Sequence, residues 1–319
     1  MKKFAWLLAI PLLLLWSIQA QAFNIYIHQY IEHPSLQNAV DGFRDVLKES
    51  GLEVSITEEN AQNDTVASQM IVSKIIGAKP DLVLTVGTMT SVNTVNKIKD
   101  IPILFTAVTD PVDAQLVASL EKPGANVTGT TDMTPLADQI DLIRQVQPDV
   151  KKIGVIFNPG EANSRVQVDL VLKAAQTMGL TIQEAVASDN AGVYSAAQNL
   201  VDRVDAIFLP TDNTVISSYE SVLQVTTKRN IPVYPAEADS LKKGGTAAIS
   251  LSYYELGRQT GHMAVKILKG EAKPSDIPVE TQDKFDLYVN SDYNEKIGLK
   301  VPQAVLDRAK EINADNPSK

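Results

Sequence analysis

Hydrophobic and polar positions along this chain follow two periods that take turns. Residues 23–30 alternate with period two and predict a strand. Leu36, Ala39, Val40, Phe43, Val46 and Leu47 recur at helical spacing, and Gly51 stops that helix. Residues 52–57 read as strand and 65–76 as helix, with Asp64 as its N-cap. Residues 82–86 are a short, almost wholly apolar run, the mark of a strand covered on both faces. A helix from about Met89 and a strand over 103–108 follow. Strand and helix in strict alternation predict a parallel sheet with helices on both sides.

The stretch 122–129 carries Pro123, Gly124 and Gly129 and reads as a crossing between lobes. The alternation then restarts. Helices are predicted over 135–146 and 162–178, the second ended by Gly179, with a strand over 152–157 between them. Residues 181–186, 206–209, 232–234 and 247–251 read as further strands. Residues 254–268 read as a helix with Leu256, Met263, Ala264 and Ile267 inward, 285–290 as a last strand, and the polar tail from Glu311 as frayed. The fold class is therefore α/β, with two doubly wound parallel-sheet lobes joined by a hinge. The expected division is a first lobe of 23–128 plus about 252–285 and a second of 129–251 plus about 286–319.

The 319 residues are 44% hydrophobic and 21% charged, enough for two such lobes and far from the composition of a disordered chain. Absence of cysteine excludes disulfides, thiolate metal sites and cysteine nucleophiles. Met1-Lys2-Lys3, the apolar run over 4–18 and the small residues Ala20 and Ala22 predict a signal peptide cleaved after Ala22. The run is shorter than the ~20 residues of a membrane-spanning helix, and Pro11 interrupts it. With no cysteine to carry a lipid, the expected product is a free, soluble periplasmic protein. Loss of Lys2 and Lys3 takes the net charge from −9 to −11, which argues against a nucleic-acid partner. Both tryptophans, Trp6 and Trp16, leave with the leader.

Ligands of open α/β sheets bind outside the carboxyl ends of the strands. In the first half those ends carry His28 to His33, then Gly87, Thr88, Thr90 and Ser91, then Thr109 and Asp110. In the second they carry Asn158, Glu161, Asn163 and Ser164, then Thr211, Asp212, Asn213 and Thr214, then Glu237, then Ser252, Tyr253 and Tyr254. Each admits two readings. Gly87-Thr88 is either a plain helix start or an anion cradle of backbone N–H groups. Asp110 and Asp212 are either turn caps or partners of a ligand ammonium. Glu161, Asn163 and Ser164 either cap a helix or touch ligand. Tyr253 and Tyr254 are either packing or the aromatic wall of a pocket. Enzyme signatures are missing: no G-x-S-x-G, HExxH, Walker A or GxGxxG stands in the chain. His28 and His33 straddle a strand end, which disfavours a metal site. No cofactor is expected.

Six segments together carry a resemblance: HQYIEHP (28–34), FTAVTDPV (105–112), PGANVTG (123–129), NPGEANS (158–164), PTDNTV (210–215) and YYELG (253–257). In order and over essentially the whole mature chain, they resemble the ABC-transporter substrate-binding family that includes tryptophan-binding proteins of the TrpX type. The resemblance implies a type I periplasmic binding fold that closes on one small ligand, commonly an aromatic amino acid. It implies a membrane permease as partner and a monomeric receptor rather than an enzyme. By motif, Gly87, Thr88 and Ser91 would receive the carboxylate, and Asp212 with Asn158 and Asn213 would hold the ammonium. Glu32, Glu161 and Tyr254 would shape the rest. Ser252, where relatives often carry Asp, and Glu237 depart from the pattern. They leave open a non-amino-acid ligand, and a sensor for a membrane receptor is the alternative to an importer.

Overall fold

The apolar strand runs form two parallel sheets whose faces are both covered. The computed structural model describes residues 22–313; the predicted leader, apart from Ala22, lies outside them. In chain order the first lobe holds β1 (Phe23–Gln29), α1 (Pro34–Glu49), β2 (Val54–Asn60), α2 (Thr65–Ala78), β3 (Leu82–Val86), α3 (Thr88–Lys97), β4 (Ile103–Val108) and β5 (Val127–Thr131). The strands pair in parallel in the order β2-β1-β3-β4-β5. Period-two alternation sends Ile25, Ile27 and Leu84 to a core with α1, and Tyr26, Val83 and Phe105 to a core with α2 and α3.

The second lobe holds α4 (Leu136–Val146), β6 (Lys152–Phe157), α5 (Ala162–Thr177), β7 (Thr181–Val186), α6 (Asn190–Leu200), β8 (Ala206–Leu209), α7 (Asn213–Ser217), α8 (Tyr219–Thr226) and β9 (Val233–Pro235). Its parallel sheet runs β7-β6-β8-β9. After β10 (Ala247–Ser250), α9 (Tyr253–Leu268) returns to the first lobe. There it packs so closely on α1 that a methyl group on Gly42 would meet the Tyr254 carbonyl, and one on Gly257 the Ala39 carbonyl. The chain then crosses back to β11 (Asp286–Val289), α10 (Ser291–Lys296), α11 (Gln303–Leu306) and β12 (Lys310–Glu311). β10 and β11 pair antiparallel and β11 and β12 parallel, a small third sheet beside the second lobe's core.

Residues 127–129, read from the sequence as the end of a crossing between lobes, open β5, the fifth strand of the first sheet. The chain leaves that sheet at Asp132, and the other crossings lie at 251–252 and 281–284. They are tied side by side: Gln282 Nε2 donates to the Ser252 carbonyl at 2.6 Å, and Thr130 bridges to Glu280. Helices α6, α7, α8, α10 and α11 and the short β12 were also not anticipated. Everything converges on one cleft, where the carboxyl ends of β1, β3 and β4 face those of β6, β8 and β9.

Candidate ligand-binding site

A small cavity of about 20 Å³ lies between the lobes. The first lobe lines it with His33, Leu36, Gly87, Thr88, Ala107 and Thr109. The second contributes Asn163, Thr211, Asn213, Ile216 and Glu237, and the crossings contribute Asp132 and Tyr253. The lobes are shut on it. Ser35 Oγ donates to Glu237 at 2.6 Å, Asn38 Nδ2 to Asp239 at 3.0 Å, and the Thr109 and Thr211 hydroxyls meet at 3.3 Å.

Gly87 holds a left-handed φ of +88°, which turns the chain sharply from β3 into α3. No side chain caps α3, so its first-turn N–H groups have no capping partner, and Gly87 and Thr88 at this helix start line the cavity. Ser91, expected beside them as a ligand group, is used otherwise: its hydroxyl bonds Thr85 at 2.8 Å and the Gly87 carbonyl at 2.7 Å, bracing the turn. On β4 a register shift between Phe105 and Val108 puts Ala107 at φ +56°. Such strain costs about 1–3 kcal/mol and is found mostly where a site needs the shape.

Asp132 is buried between two hydroxyls: Thr109 Oγ1 donates to Oδ1 at 3.0 Å and the Tyr253 OH to Oδ2 at 2.8 Å. Burial pushes its pKa above the ordinary carboxylate value, and the two hydroxyls pull the other way. No Lys or Arg is among the lining residues. Glu237 accepts from Ser35 and from the Ser240 hydroxyl and backbone N–H; burial, then Asp239, raises its pKa. Three of the lining residues each carry a buried side-chain atom with no hydrogen-bond partner within the protein: His33 Nδ1, Thr88 Oγ1 and Asn163 Oδ1. Buried polar groups are rarely left so.

Several expected site residues sit elsewhere. Asp212 caps α7: Oδ1 accepts the Val215 N–H at 2.8 Å, and Oδ2 accepts the Asn158 N–H and the Ser164 hydroxyl, both at 2.6 Å. Burial and then the neighbouring Glu161 push its pKa up. Glu161 accepts from the backbone and side chains of Asn213 and Thr214. This acid pair builds the wall from behind and does not line the cavity. Asn158 forms a turn with Gly160 and bonds Thr214. Asp110 accepts the N–H groups of Val112 and Asp113 in a turn. Glu32 is exposed. Tyr254 points outward to Asp45, and Tyr253, about 100° round the helix, supplies the aromatic wall. Gly87, Thr88, Thr109, Asn163, Asn213 and Glu237 are brought together as expected lining residues. Asp132 was missed because the strand before it was.

A family model described as ABC transporter substrate binding protein matches residues 24–313. The chain belongs to that family. It is 38% identical over 300 residues to the tyrosine-binding protein of Clostridioides difficile strain R20291, covering 93% of this chain and 86% of the relative. A solved structure from Streptococcus pneumonia in complex with L-Trp is 33% identical with a TM-score of 0.86, covering 90% of this chain and 99% of that one. The ligand-free, open structure of a Clostridium difficile substrate-binding protein with adhesive properties is 38% identical, covering 92% and 99%, yet has a TM-score of only 0.69. The fit is better to the complex than to the open form despite lower identity, in accord with the interlobe bonds. This ABC transporter substrate-binding protein is in a closed conformation. Its two-lobed α/β fold is that of periplasmic binding proteins, and its family is one of small-molecule binding proteins, with a transporter permease as partner, not of enzymes. No helix among the described residues is long and apolar enough to cross a membrane.

Proposed function

We propose that this ABC transporter substrate-binding protein acts outside the cytoplasm as the receptor of an importer and binds an aromatic amino acid in the interlobe cavity. One observation carries the reading: a closed cavity collects an unpartnered hydroxyl at a helix start, an unpartnered amide oxygen and a buried carboxylate with no cation beside it. A zwitterion answers all three. Its carboxylate takes the Thr88 hydroxyl and the first N–H groups of α3. Its ammonium lies between Asp132 and Asn163 Oδ1. Leu36, Ile216 and Tyr253 flank the ring. An aromatic side chain burying ~150–250 Å² at ~25 cal/mol/Å² contributes roughly 4–6 kcal/mol before ordering costs. Charge-assisted hydrogen bonds of ~1.5–3 kcal/mol each carry the sum to the ~8 kcal/mol of a micromolar complex. The ligand would hold the lobes shut by bridging them, with bending at the three crossings.

The test is the thermal midpoint of the mature protein against the twenty amino acids, 4-hydroxyphenylpyruvate and common sugars. Ligand at ~100 times its Kd adds about 2.7 kcal/mol. A rise confined to aromatic amino acids, absent with the keto acid that lacks an ammonium, is the expected result. No rise with any amino acid would overturn the reading.

A further inference from the structure

An amino acid so placed leaves one buried polar atom of the lining residues without a partner. His33 stands at the N-cap position of α1 with an extended backbone, yet its side chain makes no cap bond there. Pro34 occupies the first helical position, where a missing N–H costs nothing. The imidazole is therefore free of the helix and lines the cavity, with Nδ1 buried and unpartnered. Burial lowers its pKa to about 4, opposed by Asp239 and aided by Lys243, so the ring is neutral at physiological pH. A neutral imidazole offers one nitrogen as an acceptor.

Its place in the sheet decides what it meets. β1 and β4 lie on opposite sides of β3. The α3 start, with Thr88, is thus central, and the β4 end, with Thr109 bonded to Asp132, lies on one flank. The β1 loop with His33 lies on the other, beside the apolar Leu36. A ligand whose carboxylate and ammonium span Thr88 and Asp132 directs its side chain toward His33. Glu237, also in the lining, already accepts from Ser35 and Ser240.

We propose, resting on the amino-acid reading, that His33 Nδ1 accepts a hydrogen bond from a donor on the ligand's ring, a phenol O–H or an indole N–H, and so selects such ligands over phenylalanine. Phenylalanine would fill the same space and leave the imidazole nitrogen desolvated and unpaired. Sites built to bond a polar group reject the analogue lacking it far more strongly than pockets sort ligands by size alone.

Calorimetric titration of the mature protein and of His33→Leu and His33→Asn with L-tyrosine, L-tryptophan and L-phenylalanine tests this. The wild type should prefer tyrosine or tryptophan to phenylalanine by at least tenfold, and the favoured arm tells phenol from indole. In His33→Leu the ratio should fall below about three. In His33→Asn, which keeps an acceptor near the same place, the preference should persist in part. Equal affinities in the wild type, or an undiminished preference in His33→Leu, would overturn the role of His33 while leaving the amino-acid reading intact. Binding of none of the three would overturn both.

Discussion

Asp132→Asn separates recognition from folding. The residue is 4% exposed, and its two oxygens accept from Thr109 and Tyr253. The substitution keeps shape and removes charge. If Asp132 holds the ligand ammonium, the complex then contains a buried cation without its partner, which costs about 2–5 kcal/mol. That is roughly a 30- to 5,000-fold loss of affinity for an aromatic amino acid. The free protein should respond in the other direction. Burial raises the pKa of Asp132, so its charge opposes folding at neutral pH, and removing the charge should leave the melting midpoint unchanged or higher. Titration calorimetry reads the first effect and a thermal melt of the ligand-free protein the second. Affinity within threefold of wild type would refute the assignment. So would a fall of both midpoint and affinity together, which would make Asp132 a structural residue of the crossing.

Three further outcomes follow from the same geometry. Thr88→Val removes a hydroxyl with no partner in the protein, so the ligand-free midpoint should hold while affinity drops about 5- to 30-fold, a loss of ~1–2 kcal/mol in calorimetry. Gly257→Ala drives a methyl group into the Ala39 carbonyl where α9 meets α1; overpacking of ~1–3 kcal/mol should lower the midpoint by several degrees, and an unchanged melt would contradict this packing. His28 is buried between Thr94 at 3.1 Å and Ser68 at 3.2 Å, and burial lowers its pKa to about 4. The unfolded chain protonates it near 6.5, so stability contributed by the neutral ring is present above that pH and is lost as pH falls toward 4, up to about 3 kcal/mol. Melts of His28→Asn between pH 7 and 4.5 should show a shallower acid loss than wild type, and parallel curves would sink the argument.

What the sequence concealed follows from how polar groups are buried. The strands Leu82–Val86 and Ile103–Val108 are nearly all apolar and announce a covered sheet. Val127–Thr131 does the same structural work with threonines and Gly129, and its first three residues read with Pro123 and Gly124 as a crossing between lobes. Thr128 is buried because its hydroxyl bonds the Ile277 carbonyl at 2.8 Å, and Thr130 because it meets Thr260 at 2.9 Å. Those partners are about 130 to 150 residues away, beyond any local pattern. Once that strand is missed, Asp132 is no longer a residue at a strand end. Asp212 illustrates the converse. Thr-Asp after a strand reads equally as a cap or a ligand group, and only the Val215, Asn158 and Ser164 donors around it decide for the cap. The paired tyrosines at 253–254 were visible, but which one turns inward depends on the helix start at Tyr253, a single residue earlier than the pattern indicated.

The most direct test is a crystal structure of the mature protein with the aromatic amino acid that stabilises it most. The ligand should lie enclosed between the lobes, with its carboxylate within hydrogen-bond distance of Thr88 Oγ1 and the first N–H groups of α3, and its ammonium within that distance of Asp132. A ligand bound outside this cavity, or one whose ammonium pairs instead with Asp212, would contradict it.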